Sequence, residues 1–368
     1  MNGARMQPEE AAHHVSRTPP VYFYVPADTW PDDMTPDSGY FWSAKRGGKW
    51  NWTLQTYENL LKAGFPCRLV GEIPREGVIV AHTRLLDDSL VPNARQLLVC
   101  IEADRGRHPY AQLHVQQNPA GARSADAELR TRIDQRIVSF PTPNQYVCYW
   151  PQPDLIPRDS ERGARFERVV YMGRAKNLAP ALRSEAWSRR LREHGLAWKI
   201  EEDRLAWRDY REIDAILAVR DFAGEPHLHK PATKLHNAWR AGVPAVLGSE
   251  SAFRADRRSE LDYLEVNSPD EALAALLRLR DDVDLRTEMV SSGRRRAREV
   301  TAEAITASWL SYLRDVAIPA YDAWSTSSPL ARRAFLLNRR LRQRFERLRN
   351  GIRRKLEGST ARAARTRP

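Results

Sequence analysis

Along this chain apolar residues gather in short continuous runs, and between the runs they recur at every third or fourth position. In the first half the runs at 21–25 (VYFYV), 67–70 (CRLV), 77–82 (GVIVAH), 97–101 (LLVCI) and 112–116 (QLHVQ) read as buried strands. A run at 136–140 (RIVSF) is predicted as one more strand, and 119–132 as an exposed polar loop or short helix. Leu54, Tyr57, Leu60 and Leu61 share one face of a helix predicted over 53–63, which Gly64 closes.

The second half repeats the theme. Strands are predicted at 168–172, 197–200, 245–247 and 264–266, and 210–220 passes from a short helix into a strand. Helices fit 180–194, a segment starting at Pro269, 283–299 and 302–316. Strand–helix alternation in both halves means two parallel sheets with helices on their faces, an α/β architecture. Three prolines within 149–158 mark the boundary between them. The resulting division is a disordered start over 1–20, a first Rossmann-like domain over 21–158 and a second over 159–305. A crossover helix over 306–330 and a basic helix with a tail over 331–368 complete it, with disorder expected over 359–368.

The most informative stretch is 227–253, HLHKPATKLHNAWRAGVPAVLGSESAF. Pro231 suits the first turn of a helix, where its missing N–H costs nothing. Leu235, Ala238 and Trp239 give that helix a buried face, Gly242 and Pro244 end it, and Ala245-Val246-Leu247 follows as a buried strand. Lys230 and Lys234 stand at the helix start, with Asn237 a turn further on. Unpaired N–H groups, the positive end of the helix dipole and two lysines make an anion site, or else an ordinary solvated lysine pair.

Composition narrows the class. Three cysteines, Cys67, Cys100 and Cys148, lie in apolar segments without metal-ligand spacing, which argues for a reducing compartment. No apolar run reaches membrane-spanning length, and residues 1–20 lack a signal peptide's apolar core, so a cytoplasmic protein is expected. The net charge of +12 is uneven: residues 331–368 hold fourteen Arg or Lys against two Glu, and 14 − 2 accounts for all of it. The body is therefore neutral, and no nucleic acid is expected as a partner.

The order KPATKLHNAWRAGVPAVLG over 230–248 resembles the donor-binding segment of GT-B type nucleotide-sugar glycosyltransferases, and is similar to the fucosyltransferase form of that segment. Asn237 and His229 stand where many retaining families carry the second and first glutamates of a Glu-x7-Glu pair, so the anomeric outcome stays open. Gly173-Arg174, directly after the strand at 168–172, resembles the family's diphosphate-contacting Gly-Arg, with Lys176 as a second contact. The resemblance implies two facing Rossmann-like domains and a nucleotide sugar bound mainly by the second. It further implies that Ala304 to Trp324 crosses back onto the first domain, and that Gly47 and Gly48 lie across the donor diphosphate or near the acceptor.

Three further expectations concern chemistry. His82, Asp104, Arg105 and His108 follow strand ends, where ligands of open α/β sheets collect. They are candidates for acceptor contact or for loop salt bridges, with Asp104 the candidate base for the acceptor hydroxyl. No Asp-x-Asp stands at a strand end, so neither metal nor cofactor is expected; Arg174 and Lys234 would take the charge of the departing diphosphate. Tryptophans 42, 50 and 52 suit either sugar stacking or the core. The expected acceptor is a glycan or a lipid-linked molecule; the other functional readings are a non-catalytic nucleotide-sugar or glycan-binding protein of the same fold, and a membrane or nucleic-acid adaptor acting through the basic tail.

The tail carries its own pattern. Leu337, Leu341, Phe345, Leu348, Ile352 and Leu356 step by three or four, with arginine on the remaining faces. Such a helix suits an anionic membrane surface through residues 331–356, a partner-binding arm, or docking on the body. The first of these would make the protein peripheral at the inner membrane face.

Overall fold

The computed structural model describes residues 18–30, 48–103, 106–141 and 144–365. The first lobe contains β1 (Val21–Tyr24), α1 (Gly48–Lys62), β2 (Cys67–Val70), β3 (Gly77–His82), β4 (Gln96–Ile101), β5 (Leu113–Gln116), α2 (Pro119–Ala122), α3 (Ala125–Ile137) and β6 (Asn144–Tyr146). Its six strands form one parallel sheet in the order β2-β1-β3-β4-β5-β6. The central strands β3 and β4 are buried along their whole length, which is why they read as unbroken apolar runs rather than as alternating ones.

The second lobe holds β7 (Arg168–Met172), α4 (Glu185–Glu193), β8 (Ala197–Glu201), β9 (Ala215–Ala218), α5 (Thr233–Ala241), β10 (Ala245–Leu247), α6 (Ser251–Asp256), β11 (Leu264–Glu265), α7 (Pro269–Asp281) and α8 (Val283–Ala297). Its sheet is also parallel, in the order β11-β10-β9-β7-β8. Helix α5 stops where a left-handed residue is needed: Gly242 has φ of 70° and closes the helix with bonds to Ala238 and Trp239.

After the second lobe the chain returns. Helices α9 (Ala302–Tyr312) and α10 (Ile318–Thr326) lay Ile305, Trp309, Tyr312, Ala320 and Trp324 into the core of the first sheet. A π-helical turn over Leu313–Ala317 joins them. Pro319 has no N–H to give to the regular ladder, and the wider turn takes up that break.

Helix α11 (Pro329–Arg365) begins against the first lobe. Phe335 is fully buried between Phe140 and Trp324, with ring centroids at 5.6 and 5.4 Å. One turn on, Arg339 pairs with Asp134 of α3 at 2.7 Å, and Arg342 reaches the same carboxylate at 3.6 Å. Burial lowers the Arg339 guanidinium to about 10 despite the pull of Asp134, and both partners of the 2.7 Å pair are nearly inaccessible.

Four expectations change. The short helix expected from 210 is absent: residues 210–214 form turns that lead into β9. The run at 136–140 is not a strand: Ser124 caps α3 by accepting from Ala127 N, Asp126 and Glu128 favour its first turn, and the helix carries through Ile137. Val138 and Phe140 still reach the core, which accounts for their apolar character, while the sheet is closed by the short polar edge strand β6. The helix expected from 180 starts at Glu185, after a 3-10 turn over Pro180–Arg183, because Ser184 caps it. Helix α11 runs to Arg365, past the point at 359 where disorder is expected. Residues 1–17 lie outside the described residues, as do Trp42, Gly47, Asp104 and Arg105.

Removing one partner of a buried ion pair leaves an uncompensated charge. Asp134→Ala should therefore cost about 3–5 kcal/mol and free the start of α11. Urea unfolding measures the first effect, and faster proteolysis after the arginines of α11 the second.

Candidate functional site

The carboxyl ends of both sheets meet across a cleft, the position at which open α/β sheets bind ligands. In the first lobe, β5 runs into Gln116, Gln117 and Asn118, and Asn118 caps α2 by accepting from Ala120 N and Gly121 N. Its amide nitrogen then donates across the cleft to Lys230 O at 3.1 Å and Ser251 Oγ at 2.9 Å, with His227 O at 3.4 Å. Gly121 makes the approach feasible: a Cβ there would overlap the Leu228 carbonyl oxygen and lie 2.5 Å from Gln116 Oε1.

Beside this contact lies an interlobe cavity of about 270 Å³. Its walls include Glu102, Arg107, Asn118 and Arg130 of the first lobe, His229 of the second, and Arg349 of α11. Glu102 follows β4 directly and is nearly inaccessible. Gln116 Nε2 donates to its Oε2 at 2.9 Å. Arg107 Nε stands 3.1 Å from Oε1 without hydrogen-bond alignment, so that oxygen keeps a lone pair available for a proton. Burial pushes the carboxyl up to about 7, against the pull of Arg107, Arg130 and Arg339. A carboxylate poised near neutrality on a cavity wall has the attributes of a general base.

The second lobe carries cations after its strands and at the start of α5, none of which lines this cavity. Arg174 follows Gly173 at the end of β7 and is exposed, and its carbonyl accepts from Tyr171 Oη at 3.4 Å. Lys234, in the first turn of α5, places Nζ 5.0 Å from the Tyr171 ring centroid. Arg220, beyond β9, pairs with the buried Glu250 at 2.7 Å. Arg204 is depressed by burial and then by Arg174, so these two guanidiniums are neighbours. Lys176 lies in the exposed 3-10 turn Ala175–Asn177, and Lys230 offers its carbonyl to Asn118. Gly48 is the first residue of α1.

Other candidates are occupied by the fold itself. Asn237 does not face the lysines; it is buried, and its amide donates to Gln152 Oε1 of the linker at 2.7 Å. The helix starts at Thr233, later than Pro231 implies, and Asn237 lies among its buried residues. His82 is buried, with Nε2 donating to Ala103 O and Nδ1 accepting from Arg84 N. His108 is buried likewise, donating to Asp87 O and accepting from Ala111 N. Both imidazoles shape loops and leave no ring nitrogen for an acceptor. Trp52 stacks on His82 at 5.1 Å as part of the core.

Sequence reasoning passed over Glu102, Arg107, Asn118, Tyr171, Arg220 and Glu250. Glu102 carried a usable signal, being the first polar residue after the apolar run at 97–101. Asn118 carried another, as a helix-capping residue directly before a proline.

Sucrose-phosphate synthase from Thermosynechococcus elongatus shares this architecture at 13% identity, over 81% of this chain and 98% of that one, with a TM-score of 0.50. The fold is the GT-B fold. An α,α-trehalose-phosphate synthase (UDP-forming) from Burkholderia vietnamiensis aligns at 11% identity over 76% of this chain and 79% of that one, with a TM-score of 0.48. AviGT4, a glycosyltransferase involved in avilamycin A biosynthesis, aligns at 15% identity over 82% and 99%, with a TM-score of 0.45. No protein-family profile and no curated protein matches the chain. In GT-B terms, Glu102 belongs to the first lobe and Arg174 and Lys234 to the second.

Gly121→Ala forces a Cβ onto a backbone oxygen and cannot be relieved by a side-chain rotation. The substitution should raise amide hydrogen exchange over 226–230 and lower the melting temperature, while leaving exchange in β3 and β4 unchanged.

Proposed function

We propose that the chain is a glycosyltransferase that moves a sugar from a nucleotide-sugar donor to an acceptor hydroxyl held in the interlobe cavity. The observation that carries this reading is Glu102, a buried carboxylate raised to about 7, on the wall of a cavity that both lobes complete. The fold shared with sucrose-phosphate synthase supports the class of reaction.

The roles follow from charge. As the bond between sugar and diphosphate breaks, negative charge grows on the departing nucleotide diphosphate. Arg174, Lys234 and the dipole of α5 stabilise that charge more as it develops than before, which is what lowers a barrier. Lys176 and Lys230 stand close enough in sequence to add to the same field. On the other side of the cleft, Glu102 takes the proton of the attacking acceptor hydroxyl. Arg107, Arg130 and Arg349 favour an acceptor that carries negative charge or many hydroxyls. The donor charge is met by side chains, and no metal enters the scheme. Asp104 stays a second candidate for the base.

Two measurements test this reading. Lys234→Ala and Arg174→Ala should each weaken nucleoside diphosphate binding by roughly tenfold or more, since a charge-assisted hydrogen bond contributes about 1.5–3 kcal/mol. Titration calorimetry checks it after a thermal-shift screen of UDP, GDP, ADP, CMP and dTDP; unchanged affinity in both variants rejects the donor site.

Glu102→Gln should lower kcat at least about a hundredfold. Wild-type turnover should rise with pH through about 7, as the base deprotonates. Stability should move the other way. A carboxyl raised from 4.5 to about 7 in the folded chain binds more protons than in the unfolded one, so its contribution falls as pH climbs through that window. The glutamine variant should lose this dependence, and a melting-temperature series against pH reads it.

A further inference from the structure

The first turns of α11 dock through one face, and the opposite face is apolar and bare. Leu330, Leu337, Leu341, Phe345 and Leu348 are 77, 58, 45, 70 and 63% exposed. At about 100° per residue these five side chains fall within roughly 80° of one another, on a single line along the helix. Phe335, Arg339 and Arg342, which hold the helix to the first lobe, point to the other side. The stripe is therefore a second, separate face. A soluble protein rarely leaves so long a row of large apolar side chains in water without a use for it.

Its surroundings say what covers it. Arg333, Arg340 and Arg344 are all exposed and lie along one flank of the stripe. Their alkyl stems can rest on apolar material while the guanidiniums stay in the polar layer. The whole net charge of +12 resides in residues 331–368, while the body of the protein is neutral. A partner that combines a planar apolar interior with a negatively charged surface matches both features, and an anionic lipid bilayer is such a partner. No helix among the described residues is long and apolar enough to cross a membrane, so the attachment lies in the plane of the interface.

We propose that α11 is an in-plane membrane anchor, laying the Leu330–Leu337–Leu341–Phe345–Leu348 stripe into an anionic lipid surface with Arg333, Arg340 and Arg344 at the headgroups. Arg349, one turn beyond Phe345, lines the interlobe cavity. The same contact therefore sets the mouth of that cavity at the lipid surface. The attachment does not depend on the sugar-transfer reading, because lipid binding is measured without turnover.

Flotation of the full-length protein with phosphatidylcholine vesicles, with and without phosphatidylglycerol, tests it. The wild type should float only with the anionic vesicles and come off as salt is raised. Leu337→Glu, Leu341→Glu and Phe345→Glu combined should cut binding by at least about a hundredfold, with the melting temperature held. Arg333→Glu, Arg340→Glu and Arg344→Glu combined should abolish the preference for anionic lipid. The proposal fails if the wild type ignores anionic vesicles, or if the leucine and phenylalanine variant still floats. It also fails if sedimentation shows a wild-type dimer that the apolar substitutions split, which would place a second copy of the chain on the stripe.

Discussion

The carboxamide of Asn118 bridges the two lobes. Asn118 is almost completely buried, caps α2 with its oxygen, and spends its nitrogen on the carbonyl of Lys230 and the hydroxyl of Ser251. A buried amide left without these partners would lose its solvation and gain nothing, so the fold holds the pieces close. The cavity and the loop 227–230 both lie against that contact. Gly121, without a side chain, is what allows the two backbones to come so near.

A second constraint is electrostatic. Two buried carboxylates, Glu102 and Asp134, sit among Arg107, Arg130, Arg339 and Arg342. Asp134 pairs with Arg339 at 2.7 Å, with Arg342 further off at 3.6 Å, and anchors α11. Glu102 meets Arg107 with poorer alignment, and there burial wins. The same arginine-rich region thus ties one acid to the last helix and leaves the other, on the cavity wall, raised to about 7.

Much of the fold was legible because it depends on period and punctuation. The unbroken runs at 77–82 and 97–101 are central strands, and Gly242 and Pro244 stand where α5 must end. The run at 136–140 misled because Val138 and Phe140 are buried in irregular backbone, and burial alone does not distinguish a strand from a loop. For the candidate site, only the placement of its residues in the fold was legible. Arg174 and Lys234 follow from their places at a strand end and a helix start. His82 and His108 were misread because their hydrogen bonds run to backbone carbonyls and amides that only the folded chain brings near. Glu102 acquires its character from desolvation, which no local pattern records.

The chain passes between the lobes at two places. Near Pro151 it leaves Trp150, bonded to Thr56 in the first core, for Gln152, bonded to Asn237 in the second. Near Thr301 it goes back, from Glu299 paired with Arg258 to Ile305 in the first core. Two covalent crossings define a line, and a rigid-body swing of one lobe against the other turns about that line. Asn118 belongs to neither crossing, and its noncovalent bonds to Lys230 and Ser251 are among the contacts that such a swing would have to break.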